Sequence, residues 1–262
     1  LLDKITIKNL NQLFKKQKLN FFFWYLMKKY RILAITLARG GSKSIRKKNI
    51  YKINKKPLLY YTIKEAKKSK LITRYLVSTD DKEIQTIAKK YGAEAPFLRP
   101  KNLSGDKASA AKADLHALKW AEKEEGKKYD FIVELMATNP LKTHKDIDNV
   151  LKKIIKTKAE SVIGVVKLED HHPLRIKKLV NGKIRNFNKT LKEIPEGERQ
   201  DLRPVAYIRN GSIYACRRDM LVRGKRYGTQ NSLAYIMDDN NSVNIDTKRD
   251  LLLAKILLKK NK

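Results

Sequence analysis

The chain has 262 residues, is 42% hydrophobic, and carries one cysteine and a formal net charge of +33. That length suits one large α/β domain or two small ones, and the lone Cys216 excludes an intramolecular disulfide framework and fits a reducing cytoplasm. The lysines are spread almost evenly beside many Asn and Ile, and the aromatics do not interleave with arginine. The charge therefore reads as a compositional bias and not as a nucleic-acid platform; no apolar run reaches the ~20 residues of a membrane-spanning helix.

Residues 1–26 hold a basic stretch and then Phe21-Phe22-Phe23-Trp24-Tyr25-Leu26, too short to cross a bilayer and without a small-residue cleavage site. They read as an upstream or loosely held extension, with the folded unit starting near Met27. From Ile32 to Ala38 the chain is apolar without helical period, which predicts a buried parallel strand. It opens into Arg39-Gly40-Gly41-Ser42-Lys43, followed by Lys47-Lys48-Asn49. The glycines let backbone N–H groups approach a ligand, and Arg39, Lys43 and Lys48 bring charge suited to a polyphosphate. The spacing matches neither a P-loop nor a dinucleotide fingerprint, so an ordinary basic loop is the competing reading.

Beyond that loop, periodicity predicts helices over 58–66, 82–91, 109–125, 144–156 and 248–259. Strands are predicted at 73–79, 95–98, 131–135, 161–166 and 212–215, with a late strand end at 242–246. This alternation argues for an α/β fold with a mostly parallel, doubly wound sheet and sites at the strand C-termini. The rhythm breaks over 167–206, where 176–187 reads as a hairpin about Asn181-Gly182. That stretch is taken as a β-rich insertion standing off the sheet and making a dimer contact. His171-His172 has no Cys or Glu at ligand spacing and reads as a turn element.

Six blocks in order across residues 30–258 resemble the bacterial acylneuraminate cytidylyltransferases, or CMP–sialic acid synthetases. They are Leu37 to Lys43 with Lys48-Asn49; Val77-Ser78-Thr79-Asp80; Leu98-Arg99-Pro100 with Asp106 to Ser109; Asp170 to Leu174; Asn210 to Tyr214; and Asn244 to Thr247. The resemblance implies a Rossmann-like nucleotidyltransferase fold, usually homodimeric, that joins CMP from CTP to a nonulosonic acid with Mg²⁺ and releases pyrophosphate. It implies that Arg39, Ser42 and Lys43 cradle the triphosphate, with Lys48 neutralising the departing pyrophosphate. Asn49 would contact the ribose, and Ser78 and Asp80 would lie at the nucleotide. Arg99 would read cytosine, with backbone near Ala108 and Ala110 accepting its amino group; the alternative for Arg99 is a surface arginine before proline.

For the sugar acid the same resemblance points to Arg175, Arg199, Gln200, Asn210 and Tyr214, the last equally readable as a core tyrosine. Asp246, with Asn244, is the implied metal position; the alternative for Asp246 is the N-cap of the closing helix. Two positions depart from the family. Met136, ahead of Thr138 and Asn139 in the sugar-binding block, replaces a glutamine, and Asn244 stands where a carboxylate is frequent. Either fits a legionaminic- or pseudaminic-type acceptor. The rival functions are a 3-deoxy-manno-octulosonate cytidylyltransferase, a CTP-binding homologue weakened in catalysis, and a charge-driven nucleic-acid binder.

Overall fold

The structure is a computed structural model that describes residues 29–42, 44–168, 171–188, 190, 198 and 201–260. The predicted extension over residues 1–26, Lys43, Asp170, Arg199 and Gln200 lie outside the described residues.

The apolar run after Arg31 is the strand β1 (Ile32–Leu37), and alternate residues of it serve two cores. Ile32 and Ala34 face α1 (Leu58–Lys68), α2 (Lys82–Lys90) and α4 (His144–Thr157). Leu33 and Ile35 face α3 (Ala110–Glu125) and the short α5 (Arg218–Val222). A strand buried on both faces needs apolar residues at every position, which is why β1 shows no alternation in sequence.

The main sheet also contains β4 (Arg74–Ser78), β5 (Phe131–Leu135), β6 (Ser161–Lys167), β9 (Tyr207–Arg217) and β10 (Ser232–Ile236). Its order is β10-β6-β9-β5-β1-β4. Every neighbouring pair is parallel except those made by β9, which runs against both β5 and β6. The sheet is thus mostly parallel with helices on both faces. A separate pair, β2 (Lys52–Ile53) and β3 (Lys56–Pro57), leads into α1. Closing helix α6 (Lys248–Lys260) buries Ala254 against Ile45, Ile53, Leu58 and Ile245. Among the described residues no helix is long and apolar enough to cross a membrane.

The hairpin is where the sequence places it: β7 (Lys177–Val180) and β8 (Lys183–Asn186) pair around Asn181-Gly182 and form their own two-stranded sheet. Two expected strands are absent. Residues 95–98 form no strand: the segment meets β4 and the residue after it only at isolated bridges, Leu76 to Glu94 and Thr79 to Leu98, because Pro96 cannot donate to a ladder. Residues 242–246 are irregular, held to the segment after β5 by a bond from Ile245 N to the Thr138 carbonyl at 2.8 Å.

Behind that segment lies Lys142, a lysine only 1% exposed. Its Nζ donates to Thr62 Oγ1 at 2.9 Å and to the Met136 carbonyl at 2.6 Å, so it fixes the turn that follows β5. Burial lowers its pKa to about 7, against the pull of Glu65 and Asp146. An unfolded lysine keeps its proton up to about pH 10. The native state therefore binds fewer protons between those values, and stability rises with pH across that window. Lys142→Ala is expected to lower the unfolding free energy by about 3 kcal/mol through lost packing and orphaned acceptors, and to remove that rise. Urea denaturation at pH 7 and 9 measures both; an unchanged unfolding free energy would contradict the assignment.

Candidate active site

A cleft of about 770 Å³ opens beyond the C-terminal ends of β1 and β5. One wall is the turn after β1. Asn49, in a 3-10 turn over Lys48–Ile50, donates from Nδ2 to the Arg39 carbonyl at 2.9 Å, and Gly40 N donates to Asp80 Oδ1 at 3.0 Å. Both contacts fold the basic turn back onto the sheet edge. A Cβ on Gly40 would sit 2.7 Å from Asp81 Oδ2 and 3.0 Å from Asp81 Cβ. Asp81 cannot yield, since its side chain caps α2 by accepting from Glu83 N and Ile84 N.

Lys48 crosses the cleft, with Nζ donating to the Ile245 carbonyl at 2.8 Å and to Asp246 Oδ1 at 3.1 Å. Asn244 Nδ2 donates to the other carboxylate oxygen of Asp246 at 2.6 Å. The capping role at α6 falls to Thr247 and Asp250: Asp250 Oδ2 accepts from Thr247 N at 2.7 Å, and Thr247 Oγ1 accepts from Asp250 N at 3.3 Å. Asp246 is left facing the cleft with its side chain 65% exposed.

Beside this turn, across Asp80, lies Arg99, 5% exposed. Its Nη1 donates to the Ser78 carbonyl at 3.2 Å, its Nε donates to Ser104 Oγ at 3.1 Å, and Asp80 lies 3.9 Å away. Burial pushes its pKa down while Asp80 and Asp114 push it back; a guanidinium keeps its charge through such a shift. Ala108 and Ala110 line the same side, next to the start of α3. Arg39 Nη1 reaches over to Asp106 Oδ1 at 2.7 Å.

Of the residues singled out in sequence, Arg39, Ser42, Lys48, Asn49, Arg99, Ala108, Ala110, Met136, Thr138, Tyr214, Asn244 and Asp246 line this one cleft. Others stand behind it. Ser78 is fully buried and gives its carbonyl to Arg99; Asp80 fastens the basic turn after β1. Asn139 is buried and shapes a turn, its Oδ1 accepting from Leu141 N and Lys142 N at 3.2 Å. Asn210 is buried and donates to Ser242 Oγ at 2.9 Å. Arg175 is exposed in a 3-10 turn (Pro173–Arg175) ahead of the hairpin, outside the cleft. His172 packs there as a turn element, its Nδ1 accepting from Leu174 N, so that Nε2 donates to the Pro204 carbonyl at 2.9 Å.

Glu134 and Arg209 also line the cleft and were not singled out in sequence. Glu134 is 3% exposed and paired in register with Tyr214 across β5 and β9. Its carboxylate pairs with Arg226, which also lies 3.6 Å from Asp114. Burial pushes the Asp114 carboxyl well above its usual range, against the pull of Arg226 and Arg99. Between Tyr214 and Arg209 the β9 register against β6 slips, from Ile163 opposite Tyr214 to Val165 opposite Arg209. Gly211, at φ +58°, sits in this bulge; a Cβ there would come within 2.9 Å of the Asn244 amide carbon.

A mostly parallel α/β sheet whose C-terminal edge presents a cationic glycine turn to a cleft suits an enzyme that handles nucleotide phosphates. The matched sequence narrows that class: a family model described as "Cytidylyltransferase" covers residues 33–240, and the chain belongs to this family of nucleotidyltransferases. It is 33% identical over 229 residues to the pseudaminic acid cytidylyltransferase of Campylobacter jejuni, which spans 87% of this chain and 97% of the relative. It is 30% identical over 227 residues to the CMP-N,N'-diacetyllegionaminic acid synthase of the same species, with 87% and 94% covered. Among solved structures, CMP:2-keto-3-deoxy-manno-octonic acid synthetase complexed with CTP superposes with a TM-score of 0.64. That match covers 88% of this chain and all of the other at 15% identity, a likeness of fold.

Proposed function

We propose that this enzyme transfers CMP from CTP to the anomeric hydroxyl of a sialic-acid-like nonulosonic acid. The observation that carries the reading is the convergence of Arg39, Lys48, Arg99, Tyr214 and Asp246 on a single cleft, in a chain whose relatives are named for pseudaminic and legionaminic acids. The anomeric hydroxyl attacks the α-phosphorus in line and releases its proton to water, a new P–O bond forms, and the bond to the β,γ-pyrophosphate breaks. The protein's part is to align the two reactants and balance charge, which is most of what such transfers need. Arg39, Ser42 and Lys48 hold the triphosphate, Lys48 neutralises the leaving pyrophosphate, and Asn49 lies at the ribose. Arg99 donates to cytosine, with the backbone near Ala108 and Ala110 accepting its amino group.

The donor set at the cleft mouth fits Mg²⁺. Asp246 offers an exposed carboxylate, and Asn244 Oδ1 is a buried oxygen without a hydrogen-bond partner in the structure. Mg²⁺ prefers one or two protein oxygens beside phosphate oxygens. Held there, it would offset the negative charge of the triphosphate.

The same reading takes residues 27–262 as one catalytic domain with an insertion at about 167–206, acting in the cytoplasm as a homodimer. The apolar dressing of the hairpin supports the dimer, with Leu179 74%, Ile184 66% and Phe187 63% exposed.

Pyrophosphate release with CTP, Mg²⁺ and a panel of nine-carbon and eight-carbon sugar acids tests the proposal. Turnover confined to nine-carbon acids is expected. Preference for the eight-carbon acid would favour the octulosonate alternative, and tight CTP binding without turnover on any acid would reject the proposal.

A further inference from the structure

Among the described residues, the cations around the cleft are, with one exception, matched by carboxylates. Arg39 faces Asp106 at 2.7 Å, Lys48 faces Asp246 at 3.1 Å, and Arg99 lies 3.9 Å from Asp80. Arg226, behind the far wall, sits between Glu134 and Asp114. Arg209 also lines the cleft, and no carboxylate among the described residues pairs with it.

Arg209 is nonetheless held in place. Its guanidinium stands 4.8 Å from the Tyr227 ring centroid and donates to the Tyr227 hydroxyl. Tyr227 leans on Tyr214, with ring centroids 5.5 Å apart. Arg226 backs both rings, at 5.3 Å from Tyr214 and 5.8 Å from Tyr227. The buried Glu134 carboxylate offsets the charge of Arg226, and Arg209 adds a cation to this wall that no carboxylate among the described residues pairs with. The bulge in β9 brings Arg209 and Tyr214 to the same cleft although an odd spacing of five positions would put them on opposite faces of a regular strand. This wall lies beyond β5 from the phosphate turn, across β9.

We infer that Arg209 is the clamp for the acceptor's carboxylate, a specificity-determining residue that pairs with the planar acid group while the anomeric hydroxyl is presented to CTP. The inference rests on the proposed function. A guanidinium fork matches a carboxylate in two parallel hydrogen bonds, and stacking on an aromatic ring fixes the fork before the substrate arrives. An acceptor lacking the acid would leave that charge unmatched.

The test uses the full chain, the acceptor that the wild type turns over best, and its carboxamide analogue. Arg209→Gln is expected to raise the KM for the sugar acid about 10- to 100-fold, with the KM for CTP within about twofold of wild type. Arg209→Lys should recover only part of that loss, since an ammonium lacks the fork. The wild type should prefer the acid to the carboxamide, and Arg209→Gln should lose the preference. An unchanged acceptor KM, or an equal rise for both substrates, would overturn the inference while leaving the proposed function standing. A wild type that turns over no nonulosonic acid would overturn both.

Discussion

Asp246→Ala is expected to abolish turnover, with kcat at saturating CTP falling at least about 10³-fold. Three observations support a loss of that kind. The carboxylate is exposed to the cleft, the Lys48 ammonium and the Asn244 amide converge on it, and the capping of α6 is done by Thr247 and Asp250. Removing it would leave Asn244 as the one protein oxygen for a cation and would release Lys48 from half of its anchorage. Because the side chain is 65% exposed and caps nothing, the variant should fold and unfold like the wild type. Thermal unfolding measured beside the kinetics separates a chemical defect from a structural one. A fully active, normally folded Asp246→Ala enzyme would remove the metal assignment.

Arg99→Ala should carry the second largest effect, a loss of about 10²-fold or more in kcat/KM for CTP and a collapse of the preference for CTP over UTP. Selectivity between these bases turns on hydrogen-bond donors and acceptors at one edge, and a buried polar group left without its partner is costly. Arg99 is held rigidly enough to read that edge. Its Nη1 is spent on the Ser78 carbonyl and its Nε on Ser104 Oγ, with Asp80 beside it. The comparison is between the two nucleotides under identical conditions, with CTP-free unfolding followed in parallel because the side chain is buried. Equal losses for CTP and UTP would show that Arg99 supports the wall without reading the base.

Much of this was legible in the sequence because local signals agree with the fold. The largely apolar runs of β1 and β5 follow from burial on two faces, and the Asn181-Gly182 hairpin follows from turn chemistry, with positive φ at both residues. The order of the family blocks points to the basic turn after β1, Arg99 and Asp246, and these line one cleft. What stayed hidden depends on register and long-range pairing. Glu134 reads as a stray charge inside an apolar strand until Arg226 and Asp114, far off in sequence, are seen to close around it. Arg209 carries no signal either. Its place in the cleft depends on the slip of β9 against β6, and Asn210-Gly211 in mid-strand was the only hint of a bulge. β10 escaped because it is a short edge strand with Ile236 57% exposed, too mixed for a period to show.

The two departures from the family pattern keep their places in the cleft. Met136 lines the wall where a glutamine is usual, and Asn244 presents an unpartnered oxygen where a carboxylate is frequent.

The transfer itself can be followed with an acceptor carrying heavy oxygen at its anomeric hydroxyl, using phosphorus NMR on the products. The label should appear in the bond between sugar and α-phosphorus, with the released pyrophosphate unlabelled. Label in pyrophosphate, or CMP freed into water without a sugar attached, would contradict it.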